Sequence, residues 1–202
     1  MPILESIETL TGRLLVATPV LAGTEFAQTV IYLCAHSAKD GAMGMIVNRR
    51  LTHPDISELL RQLEVSPNPP QRLFGVGVGG PVEPGRGFVL HSPERGGIGR
   101  GRSGNCLTVL PEEQPMAEVS ASVDMIRELA AGRGPRQAML LLGHSSWAAG
   151  QLEEEILHGN AWYVVPANEE IIFGADPSTK WQRALASVGL EPSSLSAAVG
   201  EA

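Results

Sequence analysis

The chain has 202 residues, enough for one domain with a buried core, and its 15 lysines and arginines against 22 aspartates and glutamates give a formal net charge of −7. This acidic balance argues against direct binding of nucleic acid, which needs clustered cations. Aromatic residues make up 4% of the chain, too few for base-stacking platforms. We expect a single domain over residues 1–190 and a flexible tail over 191–202.

The N-terminal residues and the cysteines predict a compartment. No basic segment precedes an early apolar run, and no apolar run reaches membrane-spanning length, so we expect a cytoplasmic protein without membrane contact. Cys34 and Cys106 are far apart and outside any CxxC motif, which predicts free thiols. Arg95, Arg100 and Arg102 lie in a glycine-rich segment, which we interpret as a mobile loop with solvated charges rather than an RNA-binding patch.

The first part of the chain predicts strands joined by turns. Runs of apolar and β-branched residues predict strands over 13–18, 28–35 and 43–48. Only a short turn separates the second strand from the third, which predicts a hairpin. A helix is predicted over 55–63, where Asp55 can cap the first turn.

The rest of the chain alternates helices with strands more regularly. The whole pattern predicts an α+β fold with a mixed, strongly curved sheet flanked by about four helices. The further predicted elements are strands over 73–78 and 87–90, a helix over 115–131, a strand over 138–142, a helix over 147–158, strands over 161–165 and 171–173, and a last helix that starts at Asp176 and ends at Gly189.

A glycine-rich segment has the residue spacing of a nucleotide-binding motif but not its structural context. Gly75, Gly77 and Gly80 satisfy GxGxxG. That motif binds phosphate only where its glycines open a helix, and Pro81-Val82-Glu83-Pro84 cannot continue as one. We therefore predict a tight backbone turn at Gly79-Gly80 and no nucleotide site.

The segment Gly143-His144-Ser145 follows an apolar strand and precedes a helix, which is the arrangement of a hydrolase nucleophile. The match is incomplete, since Trp147 stands where the nucleophile elbow has glycine and no separated acid and histidine follow. We favour a polar turn in which a serine caps the helix. A small serine hydrolase that uses this turn stays open as the alternative function.

The remaining polar residues predict no metal or cofactor site. The five histidines lack the i, i+4 spacing of a helical zinc site, and Glu153 and Glu155 are interpreted as solvated helix charges. The sharper hypothesis is a shared binding groove, weighed against ordinary core packing. Its candidate residues are His36, Asn48, Gly79, Gly80, Pro81, Val82, Trp147 and Gln151.

Several separated motifs together resemble the YqgE/AlgH family, also called UPF0301 or DUF179. The resemblance covers about residues 11–188, and the order of the motifs makes it specific. The matching segments are GRLLVATPVL at 12–21, FAQTVIYLCAH at 26–36, GAMGMIVNR at 41–49, GGPV at 79–82 and WAAGQLEEEILHGNAW at 147–162.

This resemblance implies an α+β fold with a bifurcated sheet curled into a pseudo-barrel. It implies no established catalytic activity, and some members are described as transcriptional regulators. We therefore expect a binding or regulatory protein that acts indirectly through a protein or small-molecule partner. Family members usually carry Asp where this chain has Gly23, and Glu where it has Ala35, so a site built on those carboxylates would be incomplete here.

Overall fold

The computed structural model describes residues 9–93 and 115–197. Within them, eight strands form one mixed sheet in the order β6-β5-β7-β3-β2-β1-β8, with β4 paired to β7 beside this path. Every strand pair is antiparallel except β4 with β7, which is parallel. The strands are β1 (Leu14–Ala17), β2 (Val30–Ser37), β3 (Gly41–Ile46), β4 (Gly75–Val78), β5 (Val82–His91), β6 (Glu118–Ser120), β7 (Ala138–Trp147) and β8 (Trp162–Val165).

The sheet branches at β7, the strand that pairs with three others. Its residues 139–142 pair with β4 and its residues 145–147 pair with β3, so these two partners share one edge, while β5 occupies the other. Gly143 lies between the two halves with φ +70°, a conformation that an L side chain rarely adopts. The α+β class and the branched, mixed sheet are confirmed. The sheet is not closed, so the pseudo-barrel describes it only loosely.

Helices cover the sheet in three places. One apolar cluster joins β1, β2 and β3 to α4 and α5, a second packs the other side of those strands against α3, and a third packs β5 and β7 against α1 and α2. The alternation of Leu14 and Leu15 between the first two clusters is the strand period of two. The helices are α1 (Ile56–Gln62), α2 (Val123–Ala130), α3 (Gln151–Leu157), α4 (Glu169–Phe173), α5 (Lys180–Ala186) and α6 (Pro192–Ala197), with short 3-10 turns at Pro19–Leu21 and Pro177–Thr179.

Several predicted elements are wrong in type or extent. The helix predicted over 115–131 contains strand β6 before α2, which starts only after its N-cap Ser122. The strand predicted over 171–173 is helix α4, where the side chain of Asn168 accepts a hydrogen bond from Glu170 N. Short apolar runs of Ile and Phe do not distinguish strand from helix by pattern alone.

The strand predicted over 138–142 is twice as long in the structure, because β7 continues through Trp147. The helix predicted from Trp147 starts instead at Gln151, after Gly150 in a left-handed conformation with φ +75°. Of the segment predicted as a tail from residue 191, the structure describes α6, where Leu195 is buried. Cys106 and the predicted loop of Arg95, Arg100 and Arg102 lie outside the described residues.

Candidate functional site

His36 lies on β2 and links three parts of the fold. Its Nδ1 accepts a hydrogen bond from Leu10 N at 3.0 Å, and its Nε2 lies 3.0 Å from Glu153 Oε1 on α3. Because a backbone N–H can only donate, Nδ1 carries no proton, and Nε2 carries the proton that it donates to the carboxylate. Both ring nitrogens are occupied, so His36 holds the N-terminal segment and α3 to β2 and is not free to accept a proton from a substrate.

Trp147 and Gln151 lie at the same end of the sheet as His36. His36 pairs with Ala42 on β3, and Ala42 pairs in turn with Trp147 on β7, which places all three side chains on one face. Glu155 on α3 connects the cluster, because its Oε2 accepts from the indole N–H groups of Trp147 at 3.0 Å and Trp162 at 2.8 Å. We call this group the α3 cluster: His36, Trp147, Gln151, Glu153, Glu155 and Trp162.

Gln151 completes the hydrogen bonding of the α3 cluster. Its Nε2 donates to Glu155 Oε1 at 2.9 Å, and its Oε1 accepts from Ala148 N at 2.9 Å, which holds the chain between β7 and α3. Each polar side chain of the α3 cluster is therefore bonded to another part of the protein. Such an arrangement fixes the packing of α3 on the sheet and leaves few groups for a ligand.

Asn48 lies away from the α3 cluster, six residues along the chain from Ala42 and past the far end of β3. Its Oδ1 accepts from Val30 N and its Nδ2 donates to Gln28 O, both at 2.8 Å. These bonds hold the chain ahead of β2 against the end of β3. The structure thus brings His36, Trp147 and Gln151 together and places Asn48 elsewhere.

A cleft of about 240 Å³ opens beside Asn48, between the start of β2, the end of β3 and helix α5. Arg49 also lines this cleft, and its guanidinium donates to Ala27 O at 2.8 Å. Polar side chains dominate the walls, and the Trp181 indole N–H is turned inward to Ala17 O. We call this the Asn48 cleft; it is lined by Ala27, Gln28, Asn48, Arg49, Pro177, Ser178, Trp181 and Gln182.

The glycines Gly79 and Gly80 pack backbone against backbone where the sheet branches. A Cβ at Gly79 would lie 2.3 Å from Gly143 O, and one at Gly80 would lie 2.2 Å from the carbonyl carbon of His144. Only glycine fits at both positions, and no helix follows them, since Pro81 leads directly into β5. Val82 then pairs with His144 on β7. The segment from Gly79 to Val82 therefore acts in the close packing of strands.

Gly143-His144-Ser145 lies inside β7, so the predicted polar turn is wrong. Ser145 is 1% exposed, and its hydroxyl lies 3.5 Å from the carbonyl oxygen of Gly79. His144 packs edge-to-face against Phe88, with its Nδ1 3.8 Å from Glu83 Oε2. Burial lowers the pKa of His144. Consecutive strand residues point to opposite faces, which separates this histidine from this serine.

Lys180 on α5 is 1% exposed and directly precedes Trp181, which lines the Asn48 cleft. Its Nζ donates to two backbone carbonyls, Val47 O at 2.9 Å and Ile172 O at 2.6 Å. Burial, with smaller contributions from Arg183 and Arg50, lowers the pKa of Lys180 to about 8. The ammonium thus ties α5 to the residue that precedes Asn48.

Lys180 and the roles of Glu153 and Glu155 could not be predicted from the sequence. The interpretation of these two carboxylates as solvated charges is wrong, because both accept hydrogen bonds from side chains of the sheet. Their i, i+2 spacing carried no signal. A useful signal was the pair of tryptophans, because a buried indole N–H needs an acceptor.

The remaining candidates for chemistry are the Cys34 thiol and the side chains that can bind metal ions. Burial raises the pKa of the Cys34 thiol to about 12, which keeps the thiol protonated at neutral pH. In the described ranges, no three His, Cys, Asp or Glu side chains come close enough to hold a metal ion. Nor does any helix in those ranges have the length and apolar character needed to cross a membrane.

The two departures from the family pattern lie in different settings. Gly23 follows the first 3-10 turn with φ +80°, and a Cβ there would meet nothing within 4 Å. Ala35 pairs with Met43 at an irregularity in the β2–β3 register, directly beside His36. Met43 packs against the first apolar cluster, so an added carboxylate at residue 35 would point to the face opposite the α3 cluster, whereas one at residue 23 would face open space.

Comparison with known proteins yields one consistent group. The model of the family DUF179, described as AlgH-like, matches residues 14–193. A UPF0301 protein of Gluconobacter oxydans is 53% identical over 193 residues, which cover 96% of this chain and 98% of that relative. A UPF0301 protein of Rhodopseudomonas palustris is 44% identical over 203 residues, with 96% and 89% covered.

Solved structures give the same result. The solution structure of the AlgH protein from Pseudomonas aeruginosa matches with a TM-score of 0.72 and 37% identity, over 98% of both chains. The crystal structure of a protein from Corynebacterium diphtheriae matches with a TM-score of 0.63 and 22% identity, over 87% of this chain and 85% of that one. The second likeness concerns the fold alone.

Proposed function

The chain belongs to the AlgH-like family, as its motifs predict, and from the geometry above we propose that it binds a small polar ligand in the Asn48 cleft without transforming it there. One observation carries the proposal. The cleft is lined by two solvent-exposed side-chain amides, those of Gln28 and Gln182, that have no hydrogen-bond partner within the described part of the chain. Unpaired donors and acceptors around a concave surface are what a polar ligand needs.

The chemistry of the walls limits the class of ligand. An amide supplies both a donor and an acceptor, and Arg49 adds a positively charged residue to the lining. The volume of about 240 Å³ is below the range that accommodates drug-sized molecules. These features favour a metabolite with few heavy atoms that carries hydroxyl, amide or carboxylate groups.

A regulatory effect would then be indirect, through the ligand or a protein partner. Direct contact with DNA finds little support, because the arginines of residues 9–93 and 115–197 are largely used within the protein. Six of them pair with carboxylates, namely Arg61, Arg86, Arg127, Arg133, Arg136 and Arg183. Three more donate to backbone carbonyls, namely Arg49, Arg50 and Arg72.

Two-dimensional NMR of the ¹⁵N-labelled protein tests the proposal with a panel of small carboxylic acids, polyols and amino acids. We expect shift changes confined to Gln28, Asn48 and the Trp181 indole for at least one compound. Gln182→Ala should weaken that binding by about tenfold, the value of one hydrogen bond. Gln151→Ala, a glutamine on α3, should leave the affinity unchanged. Shift changes at other sites, or none with any compound, would contradict the proposal.

A further inference from the structure

A serine and a histidine that no sequence motif indicated form a close pair where β5 meets β6. Ser120 Oγ lies 2.9 Å from His91 Nε2, and His91 Nδ1 lies 3.0 Å from the carbonyl oxygen of Ser92. A carbonyl oxygen only accepts hydrogen bonds, so Nδ1 must carry the ring proton of the neutral imidazole. The lone pair of Nε2 therefore faces the Ser120 hydroxyl, which donates to it.

The strand register produces this pair. Ser120 pairs with Val89 and Glu118 pairs with His91, so Ser120 and His91 are diagonal neighbours on one face of the β5–β6 ladder. His91 is 4% exposed, while Ser120 on the short outer strand is half-buried. The base is thus held inside the protein, and the hydroxyl lies closer to the surface.

The order of contacts matches that of an activated serine: a nucleophile bonded to a base, and the base oriented by a third group through its other nitrogen. A carbonyl oxygen stands where catalytic triads have a carboxylate, and it fixes the same tautomer. Ser145 has none of these contacts, since it is buried and faces a carbonyl oxygen. His36 cannot serve as the base, because Leu10 N–H occupies its Nδ1.

We propose that Ser120 is the nucleophile and His91 the general base of an acyl-transfer site for esters of short apolar acyl groups. We assign the apolar class because two apolar side chains within four residues of Ser120 along the chain are exposed, Met116 at 47% and Val123 at 38%. This activity goes beyond the binding role assigned to the Asn48 cleft and uses none of its residues.

The reaction balances with water as the second substrate. Ser120 Oγ attacks the acyl carbon while His91 Nε2 takes the hydroxyl proton, and collapse of the tetrahedral intermediate breaks the ester C–O bond. The alcohol leaves with the proton returned by His91, and the acyl group stays on Ser120. Water then attacks the acyl carbon, again losing its proton to His91, which passes it to Ser120 Oγ as the carboxylic acid departs.

Covalent labelling tests the site most directly. An alkyl fluorophosphonate should form a bond between phosphorus and Ser120 Oγ with loss of fluoride, and peptide mass spectrometry locates the label. We expect the label on Ser120 and its absence from Ser120→Ala. In His91→Gln the labelling rate should fall by about 10²-fold or more, the usual effect of losing a general base. Ser146→Ala, which removes an exposed serine of β7, should be labelled at the rate of the unchanged protein.

Turnover of p-nitrophenyl acetate and butyrate provides the second measurement, with thermal unfolding run on each variant. Turnover that disappears in Ser120→Ala and persists in Ser146→Ala supports the site. The proposal is overturned if Ser120 takes no label, if folded His91→Gln is labelled as fast as the unchanged protein, or if Ser120→Ala retains full turnover. Should His91→Gln fail to fold, the position of the label and the turnover of Ser120→Ala decide the question. Ligand binding in the Asn48 cleft is read separately by NMR, so either result leaves that test intact.

Discussion

The two ends of strand β3 hold charged groups in opposite ways. At the Ala42 end, the carboxylates of the α3 cluster accept hydrogen bonds from indole, imidazole and amide N–H groups. At the Asn48 end, the ammonium of Lys180 is buried against backbone carbonyls, and burial lowers its pKa. The first end pairs its polar groups within the protein, whereas the second keeps a buried charge and leaves the amides of Gln28 and Gln182 exposed to solvent. Binding sites tend to lie where a fold forgoes stability, which favours the Asn48 end.

Glu155→Ala should lower the free energy of unfolding more than the other substitutions, because Glu155 accepts the hydrogen bonds that connect the α3 cluster. Glu155→Ala leaves the buried indole N–H groups of Trp147 and Trp162 without an acceptor. Each orphaned donor costs about 1–3 kcal/mol, so we expect the free energy of unfolding to fall by about 3 kcal/mol. Urea denaturation followed by tryptophan fluorescence measures it. Glu154→Ala, an exposed neighbour on the same helix, should change stability by less than about 0.5 kcal/mol; equal losses in both variants would refute the assignment.

The buried ammonium predicts the next effect, a rise of stability with pH. The pKa of Lys180 is about 8 in the folded protein and 10.5 in its ordinary state, so the unfolded chain binds more protons between these values. Below pH 8 the unfavourable contribution is fully present, and it disappears as the pH rises towards 10.5. The unchanged protein should therefore gain up to about 3 kcal/mol over this window relative to Lys180→Met.

The comparison with Lys180→Met is needed because other groups titrate in the same window. Burial raises the pKa of Cys34 and of Tyr32 to about 12, which lowers stability at high pH in both proteins alike. Denaturation at intervals from pH 7 to 10 gives the difference curve. If the difference in unfolding free energy between the two proteins does not change with pH, the protein does not destabilise the charged form of Lys180. A constant offset is expected as well, since methionine leaves two carbonyls without a donor.

Glu153→Ala should cost less, because Glu153 is about one-third exposed and makes one charge-assisted bond to His36. We expect a loss of about 1 kcal/mol and faster hydrogen exchange at the Leu10 amide, which donates to the other side of the same ring. His158→Ala removes an exposed partner of Glu154 on the same helix and serves as the control. Unchanged protection of Leu10 would contradict the view that Glu153 orients His36.

The strands of the first cluster could be predicted from sequence because their signals are local. The runs that became β1, β2 and β3 are apolar and β-branched, and the turn between β2 and β3 is short. Helix α4 and strand β6 could not be predicted in the same way. Helix α4 has five residues and strand β6 has three, so the sequence pattern alone cannot distinguish helix from strand in either segment. Their secondary structure depends on the residues that pack against them.

The sites depend even more on distant contacts. Glu155 and Trp147 are eight residues apart and meet because β7 and α3 pack together, while His91 and Ser120 are 29 residues apart. The pair of Ser120 and His91 could not be predicted, because the sequence predicts a helix over 115–131 and does not predict the pairing of β6 with β5. The burial of Lys180 could not be predicted for a different reason. Its hydrogen-bond partners are backbone carbonyls, which every residue has, so no residue type in the sequence indicates them.

The smallest effect should separate two exposed glutamines that look equivalent in sequence. Gln151 on α3 bonds Ala148 N and Glu155, so Gln151→Ala should cost about 1 kcal/mol even after the gain in helix propensity. Gln182 on α5 has no partner within residues 9–93 and 115–197, so Gln182→Ala should stay within about 0.5 kcal/mol of the unchanged protein. Urea denaturation of both variants measures the pair. Equal losses would show that the Asn48 end is as fully satisfied as the α3 cluster, and the unpaired amides would then no longer support a binding site there.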